Sequence, residues 1–195
     1  MAEGASGPGK AQLRSHMRSL CGAVTRGQAE RAGHAVAEHL AGLPAFADAS
    51  HVALFASLSD ELPTRPVFDA ALARGKLALF PRVEGDRLVF APVARWEDLR
   101  PGRYGVAEPP HDVAARVPDA LVLVPGVAFD ARGGRLGRGG GYYDRTFAFD
   151  AEPRPLLLGV GYAFQVVDAV PEERHDRRMD AVMTERGIRW AEGGR

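Results

Sequence analysis

His51-Val-Ala-Leu-Phe-Ala-Ser-Leu58 is a continuous apolar run of strand length. A strand with one face in water alternates apolar and polar residues. An uninterrupted run is the pattern of a strand covered on both faces, as in α/β proteins. Downstream, Thr64 is placed to cap a helix that tolerates Pro66 in its first turn, buries Val67, Phe68, Ala71 and Leu72, and stops at Gly75. Residues 76–80 and 87–91 read as a second and a third strand. Upstream, Leu13, Met17, Leu20, Cys21 and Val24 recur at three- and four-residue steps from about Lys10. Thr25 and Gln28 have capping-box spacing for a further helix, which carries Ala32, Val36, Ala37 and Leu40 and ends near Gly42-Leu43-Pro44. Beyond Pro92, a Pro/Gly-rich stretch to Pro110 reads as a long ordered loop. Residues 120–124 form another buried-type strand, which enters Pro125-Gly-Val-Ala-Phe-Asp130, a glycine cluster and a short helix through Tyr143 to Phe149. Residues 156–160 and 181–183 are the last expected strands. This alternation implies an α/β fold with a mainly parallel, doubly wound sheet. Ligands in such sheets sit beyond the carboxyl ends of the strands. Two segments lie just past a strand end: Ser57-Leu-Ser-Asp-Glu61 and the glycine cluster.

The chain has 195 residues, enough to bury a core without metal or disulfide staples. Residues 10–195 are expected to form one domain, behind a small, glycine-rich and disordered extension at 1–9. Twenty-five basic and 25 acidic side chains give a net charge of +0. There is thus no global attraction for nucleic acid or acidic lipid, and any anion site must be local. Cys21 is alone, so no intrachain disulfide forms. No apolar run approaches membrane-spanning length, and the N-terminus lacks the core of a signal peptide. A cytoplasmic monomer is expected, with no nucleic-acid or membrane partner.

The densest chemical signal is Gly133-Gly-Arg135-Leu136-Gly137-Arg138-Gly139-Gly140-Gly141-Tyr142-Tyr143-Asp144-Arg145. Glycine lets backbone amides crowd together at unusual dihedral angles. A run of such amides forms a concave nest for anions, to which a following helix start adds donors. Arg135 and Arg138 bring planar guanidinium forks suited to phosphate. Asp144 is repulsive to phosphate unless a divalent cation such as Mg2+ lies between them. The loop is not a Walker A motif, since no Gly-Lys-Ser/Thr follows. It also fails the dinucleotide fingerprint, whose third glycine falls at Tyr142.

Pro125 to Arg145 resembles the signature of the 5-formyltetrahydrofolate cyclo-ligase family, also called methenyltetrahydrofolate synthetases. Three further segments agree in order and spacing: Lys10-Ala-Gln-Leu-Arg14, Ser57 to Thr64 with Glu61, and Glu173-Arg-His-Asp-Arg-Arg-Met-Asp180 followed by Ala-Val-Met-Thr-Glu185. The resemblance spans nearly the whole chain, residues 10–185. It implies a three-layer α/β fold of the type shared with sugar-phosphate isomerases and CoA-transferases. It also implies conversion of 5-formyltetrahydrofolate to 5,10-methenyltetrahydrofolate with ATP and Mg2+. Transfer of the γ-phosphoryl to the formyl oxygen makes that oxygen a leaving group, and ring closure then expels phosphate.

Carried onto this chain, the resemblance implies that Lys10, Arg14 and the stretch Arg135, Leu136, Gly137, Arg138, Gly139, Gly140, Gly141, Tyr142 and Tyr143 bind ATP. Arg138 would stabilise the transferring phosphoryl, with Glu61 and Tyr143 also catalytic. Phe55, Ala56, Glu61, Tyr104 and Tyr143 would hold the reduced folate. Many family members have tyrosine at the position of Phe55, so a hydroxyl contact is missing there. Asp144 and Asp180 match the metal-binding carboxylates. Blander roles stay open: Lys10 and Arg14 as a solvated helix face, Asp144 paired with Arg135 or Arg145, Asp180 paired with Arg177 or Arg178, and Tyr104 packing the Pro-rich loop. His175 and Asp176 are read as ordering the loop before Asp180, since adjacent residues point apart. Competing functions are an ATP-binding paralogue with another acceptor, a ligand-sensing module without catalysis and a nucleic-acid binder.

Overall fold

The computed structural model describes residues 9–110, 121–148 and 154–192. The expected disorder of residues 1–8, Ala120 of one expected strand and Phe149 of the expected short helix lie outside the described residues. Three helices open the chain: α1 (Lys10–Gly22), α2 (Arg26–Ala41) and α3 (Pro44–Asp48). They are followed by β1 (His51–Ala53), α4 (Arg65–Leu72), β2 (Leu77–Glu84) and β3 (Arg87–Pro92). Two short strands, β4 (Arg100–Pro101) and β5 (Ala107–Glu108), pair within the Pro/Gly-rich loop, which is ordered as expected. The chain continues through β6 (Leu121–Pro125), the pair β7 (Ala128–Phe129) and β8 (Arg135–Leu136), and α5 (Tyr142–Thr146). It closes with β9 (Leu156–Val160), β10 (Ala181–Thr184) and β11 (Gly187–Trp190).

Seven strands form one sheet in the order β11-β10-β9-β6-β1-β2-β3. The strands from β10 to β2 run parallel, and β3 and β11 are antiparallel edges. From β1 the chain moves to β2 on one side and later to β6 on the other. The switch in strand order therefore falls between β1 and β6, where the carboxyl ends leave a crevice.

Strand side chains alternate between the two faces. Val52, Ala78, Phe80, Leu121, Leu123, Leu158, Val160, Ala181 and Met183 join one core cluster with Val36 and Leu40 of α2, Phe46 of α3, and Val67, Phe68 and Ala71 of α4. Ala53, Leu79, Val122, Val124, Leu157 and Val182 join a second cluster, with Phe90, Phe129, Phe147 and Met179. Both faces are buried, which is why the strands read as continuous apolar runs.

The two covers differ. The Thr25–Gln28 capping box forms as expected: Thr25 N donates to Gln28 Oε1 at 2.9 Å, and Gln28 N donates to Thr25 Oγ1 at 3.4 Å. It launches α2, whose stripe lies on the first face. Among the described residues, the second face is covered by the β7–β8 segment, the turn after it and the single turn of α5. Among the described residues, short elements and loop therefore lie directly on that face. α1 packs beside β7, with Leu13 and Met17 against Val127, Ala128 and Leu136.

Other departures are local. The run at 51–58 contributes only three residues to the ladder. Leu54 N still donates to Leu79 O at 2.7 Å, and then the chain leaves the sheet. Phe55 and Ala56 stay buried beyond it. Thr64 stands at the N-cap of α4 but does not cap it. Its hydroxyl donates to Phe55 O, and its amide donates to Ser57 Oγ, closing the loop that follows β1. α3 and β11 are additions, and β2 runs on through Pro81 to Glu84.

Candidate active site

A cavity of about 790 Å3 opens at the switch point, at the carboxyl ends of β1 and β6. Phe55, Ala56, Leu58 and Glu61 enter it from the loop after β1, and Pro125 and Gly126 from the end of β6. The glycine loop from Arg135 to Tyr143 and Asp144 form one wall, and Lys10 and Arg14 of α1 reach it from outside. Pro81 and Val83 of β2, Leu88 of β3 and Val106 form an apolar slot opposite.

The glycine loop is fixed from behind by Asp130, which is fully buried. Its carboxylate accepts from Arg132 N, Gly134 N and Val170 N, each at 2.9 Å. Burial works against its ionisation. The three amides and nearby Arg132 overcome that and hold the carboxyl below the usual range. Gly133 sits at φ +80°, and a Cβ there would meet Met179 O at 2.2 Å, so only glycine fits this turn. Farther along, the amides of Arg138, Gly139, Gly140 and Gly141 have no hydrogen-bond partner among the described residues. The four residues line the cavity, so unpaired amides are gathered at its wall, as in an anion nest. The helix after them is only five residues long, so the nest rests on the loop, and the expected help from a helix start is slight.

Charges converge on this wall. Arg135 is buried, and its Nη2 lies 2.8 and 2.9 Å from the two oxygens of Asp144. Its guanidinium stands over the Tyr143 ring, 5.7 Å from the centroid. Arg135 thus anchors Asp144, which also accepts from Arg177 N at 3.1 Å. Arg138 is exposed, with 35% of its side chain open to solvent. Its Nε donates to Glu61 Oε1 at 2.9 Å and its Nη2 to Asp60 Oδ1 at 2.6 Å. The other oxygen of Glu61 accepts from Leu58 N at 2.9 Å. Arg14 Nε donates to Gly137 O at 2.9 Å, which ties α1 to the loop. Lys10 Nζ reaches Asp176 at 2.8 Å and Glu173 at 3.0 Å.

Two tyrosines carry distinct features. The Tyr143 hydroxyl is buried without a partner among the described residues, and burial pushes its pKa up, so it is a neutral donor. Tyr104 is 74% exposed, too open for loop packing. It is held at φ +58°, with its hydroxyl 2.9 Å from that of Tyr142. The Arg145 guanidinium lies 5.1 Å from the Tyr142 ring centroid. Burial pushes the Cys21 thiol up to about 11, so it is a packing residue.

Every expected site residue except Asp180 lines this cavity. Asp180 lies at the amino-terminal ends of β9 and β10. One oxygen pairs with Arg154, and the other accepts from Leu157 N at 2.8 Å. Neither oxygen is offered to the cavity, which corrects its pairing with Asp144. Asp176, expected only to order its loop, lines the cavity beside His175. It does order the loop as well, accepting from Glu173 N at 2.7 Å. The signal that could have separated the two is register. Asp180 directly precedes a buried strand, so it lies at a strand's amino end, whereas Asp176 lies in the loop before it. The apolar slot was also missed, because Pro81 and Val83 extend β2 past the run that marked it.

The fold and this cavity define an α/β protein that can seat an anionic group on a glycine nest beside an apolar, ring-sized slot. The chain belongs to the 5-formyltetrahydrofolate cyclo-ligase family, whose family model matches residues 6–185, and it is an enzyme of that ligase class. It is 32% identical to 5-formyltetrahydrofolate cyclo-ligase of Mycolicibacterium smegmatis, over 92% of this chain and 95% of that one. It is 31% identical to the Escherichia coli K12 enzyme of the same name, over 83% and 92%. The solution structure of Aquifex aeolicus 5,10-methenyltetrahydrofolate synthetase superposes with a TM-score of 0.81 at 31% identity, over 95% of this chain and 94% of that one. Among the described residues, no helix is long and apolar enough to cross a membrane.

Proposed function

We propose that this cavity converts 5-formyltetrahydrofolate to 5,10-methenyltetrahydrofolate with ATP. The observation that carries this reading is that unpaired glycine-loop residues, Arg138 with its partner Glu61, and the apolar side chains Pro81, Val83 and Leu88 line one cavity. The triphosphate takes the nest, with Lys10 and Arg14 on its flank. The pterin takes the slot against Phe55 and Ala56, where the Glu61 carboxylate can accept from its amino group and ring N–H. Tyr104 and Tyr142 stand at the rim near the folate, and the Tyr143 hydroxyl donates into the site. The γ-phosphoryl passes to the formyl oxygen and leaves ADP. The anilino nitrogen then attacks the formyl carbon, the C–O bond breaks to release phosphate, and the N–H proton is lost to the departing phosphate or to water. Positioning and neutralisation of charge are the protein's share, and Arg138 is the residue at the transferring group.

Magnesium fits the acidic groups present. Asp144 and Asp176 both line the cavity. Among the described residues, Asp176 Oδ1 accepts no hydrogen bond, the His175 ring nitrogen lying 3.8 Å away. Burial opposes ionisation of Asp176, and Lys10 with the Glu173 amide overcomes it, holding the carboxyl below the usual range. Two carboxylates are what magnesium typically takes from protein when phosphates supply the rest. Bound there, the ion supplies neutralisation of phosphate charge.

The test is to mix the purified protein with 5-formyltetrahydrofolate, ATP and magnesium and to follow the absorbance of the methenyl product. Product that requires ATP and magnesium, and whose rate falls by about 10²-fold or more in Arg138→Ala and Asp144→Ala, is the expected outcome. No product with ATP still bound would move the assignment to another acceptor.

A further inference from the structure

Arg138 is paired with Glu61 although the two serve different ligands in the reading above. In the structure they satisfy each other: Arg138 Nε on Glu61 Oε1, with the second Glu61 oxygen on Leu58 N. A pterin on Glu61 must take over acceptor capacity that Arg138 now uses. A guanidinium held by Glu61 alone would either block the pterin or, once displaced, lose its aim. Asp60 removes that conflict. It does not line the cavity, so no ligand there competes for it. Its Oδ1 holds Arg138 Nη2 at 2.6 Å, on a different nitrogen from the one that Glu61 takes. Asp60 is adjacent in sequence to Glu61, and its loop is tied back by Ser57 and Thr64. A charge-assisted contact from a fixed loop gives direction as well as energy.

We propose that Asp60 is a positioning residue for the reaction. It keeps the Arg138 guanidinium aimed across the glycine loop after the folate has claimed Glu61, and it leaves the remaining N–H donors for the phosphoryl group. This rests on the assignment of Arg138 given above. Asp60 touches neither ligand and acts only through Arg138.

The experiment compares wild type, Asp60→Ala, Asp60→Asn, Arg138→Ala and Asp60→Ala/Arg138→Ala. The readouts are turnover of 5-formyltetrahydrofolate with ATP, affinity for a non-hydrolysable ATP analogue and thermal melting. Loss of one hydrogen bond to a charged group predicts a fall of about tenfold in kcat/KM for Asp60→Ala. Asp60→Asn, which keeps an acceptor, should recover most of it. In the Arg138→Ala background the Asp60→Ala change should cost less than about twofold, because the residue through which Asp60 acts is gone. A merely structural aspartate would give the same loss in both backgrounds and no rescue, and that result overturns the proposal, as does an Asp60→Ala enzyme within about twofold of wild type. If the wild type turns over no folate, the functional reading fails separately. The analogue affinity then decides: weakening by Asp60→Ala only when Arg138 is present supports the positioning role, and equal affinities overturn it.

Discussion

Val52 and Ala53 are neighbours on β1 and face opposite worlds. Val52 packs with α2 and α4 in a cluster of large aliphatic and aromatic side chains. Ala53 packs with Phe129 and Phe147, under the loop that carries the cavity. On the second face, large side chains give way to glycines around one aromatic, Phe129, so that it can approach closely. A Cβ at Gly126, Gly159 or Gly161 would lie 2.4, 2.5 or 3.0 Å from the Phe129 ring. Phe129 is thus caged by glycines, and it roots the β7–β8 segment from which Arg135 and the nest extend. The helix-covered face gains its energy from area, and the loop-covered face gains its precision from fit.

That division can be broken most severely at Phe46, which is fully buried on the helix face. Phe46→Ala should cost about 3–5 kcal/mol of stability while kcat/KM at temperatures below melting stays near wild type. Denaturant unfolding and steady-state kinetics on one preparation check both halves. Arg138→Ala is the reverse case. Turnover should fall by about 10²–10³-fold, the loss typical of removing one preorganised donor, with melting nearly unchanged because the side chain is exposed. A large stability loss in Arg138→Ala would mean that the cavity wall carries the fold as well.

Gly159→Ala tests whether fit on the loop face couples to chemistry. Its methyl group would meet both Phe129 and Met179. The expected cost is about 1–3 kcal/mol of stability, with a fall in kcat, because Phe129 and the nest share one segment. Stability lost without any change in kcat would separate the two.

The same contrast explains what the sequence made legible. The helix face follows simple periodicities: Ala32, Val36, Ala37 and Leu40 lie on one stripe, and the Thr25–Gln28 box marks where it starts. The parallel strands declare themselves by runs such as 51–58, since burial on both faces removes alternation. The nest was legible too, because glycine density and arginine spacing are local signals. What was not legible is long-range. That Arg138 pairs with a carboxylate 77 residues away in sequence depends on the switch in strand order between β1 and β6. That Asp176 rather than Asp180 enters the cavity depends on which end of β10 faces it. Both carboxylates sit in one short motif, and spacing alone does not tell the two ends of a strand apart.

Asp130 gives the finest test, because it links the glycine loop to residue 170 with no ligand involved. Its carboxyl is held below the ordinary value of 3.8 in the folded state. A depressed folded value means that the contribution is fully present above about pH 3.8 and is lost as pH falls through the folded value. Asp130→Asn keeps one acceptor oxygen but turns an NH2 group toward amides that themselves donate. At neutral pH the variant should be less stable by about 1.5 kcal/mol, the worth of a hydrogen bond to a charged group. Protonation does much the same to the wild-type carboxyl, leaving one oxygen as a donor. The gap between the two proteins should therefore narrow as pH falls through the folded value. A gap that stays constant into acid would show that Asp130 acts by shape alone. The loop face would then be held by packing around Phe129, with no electrostatic root.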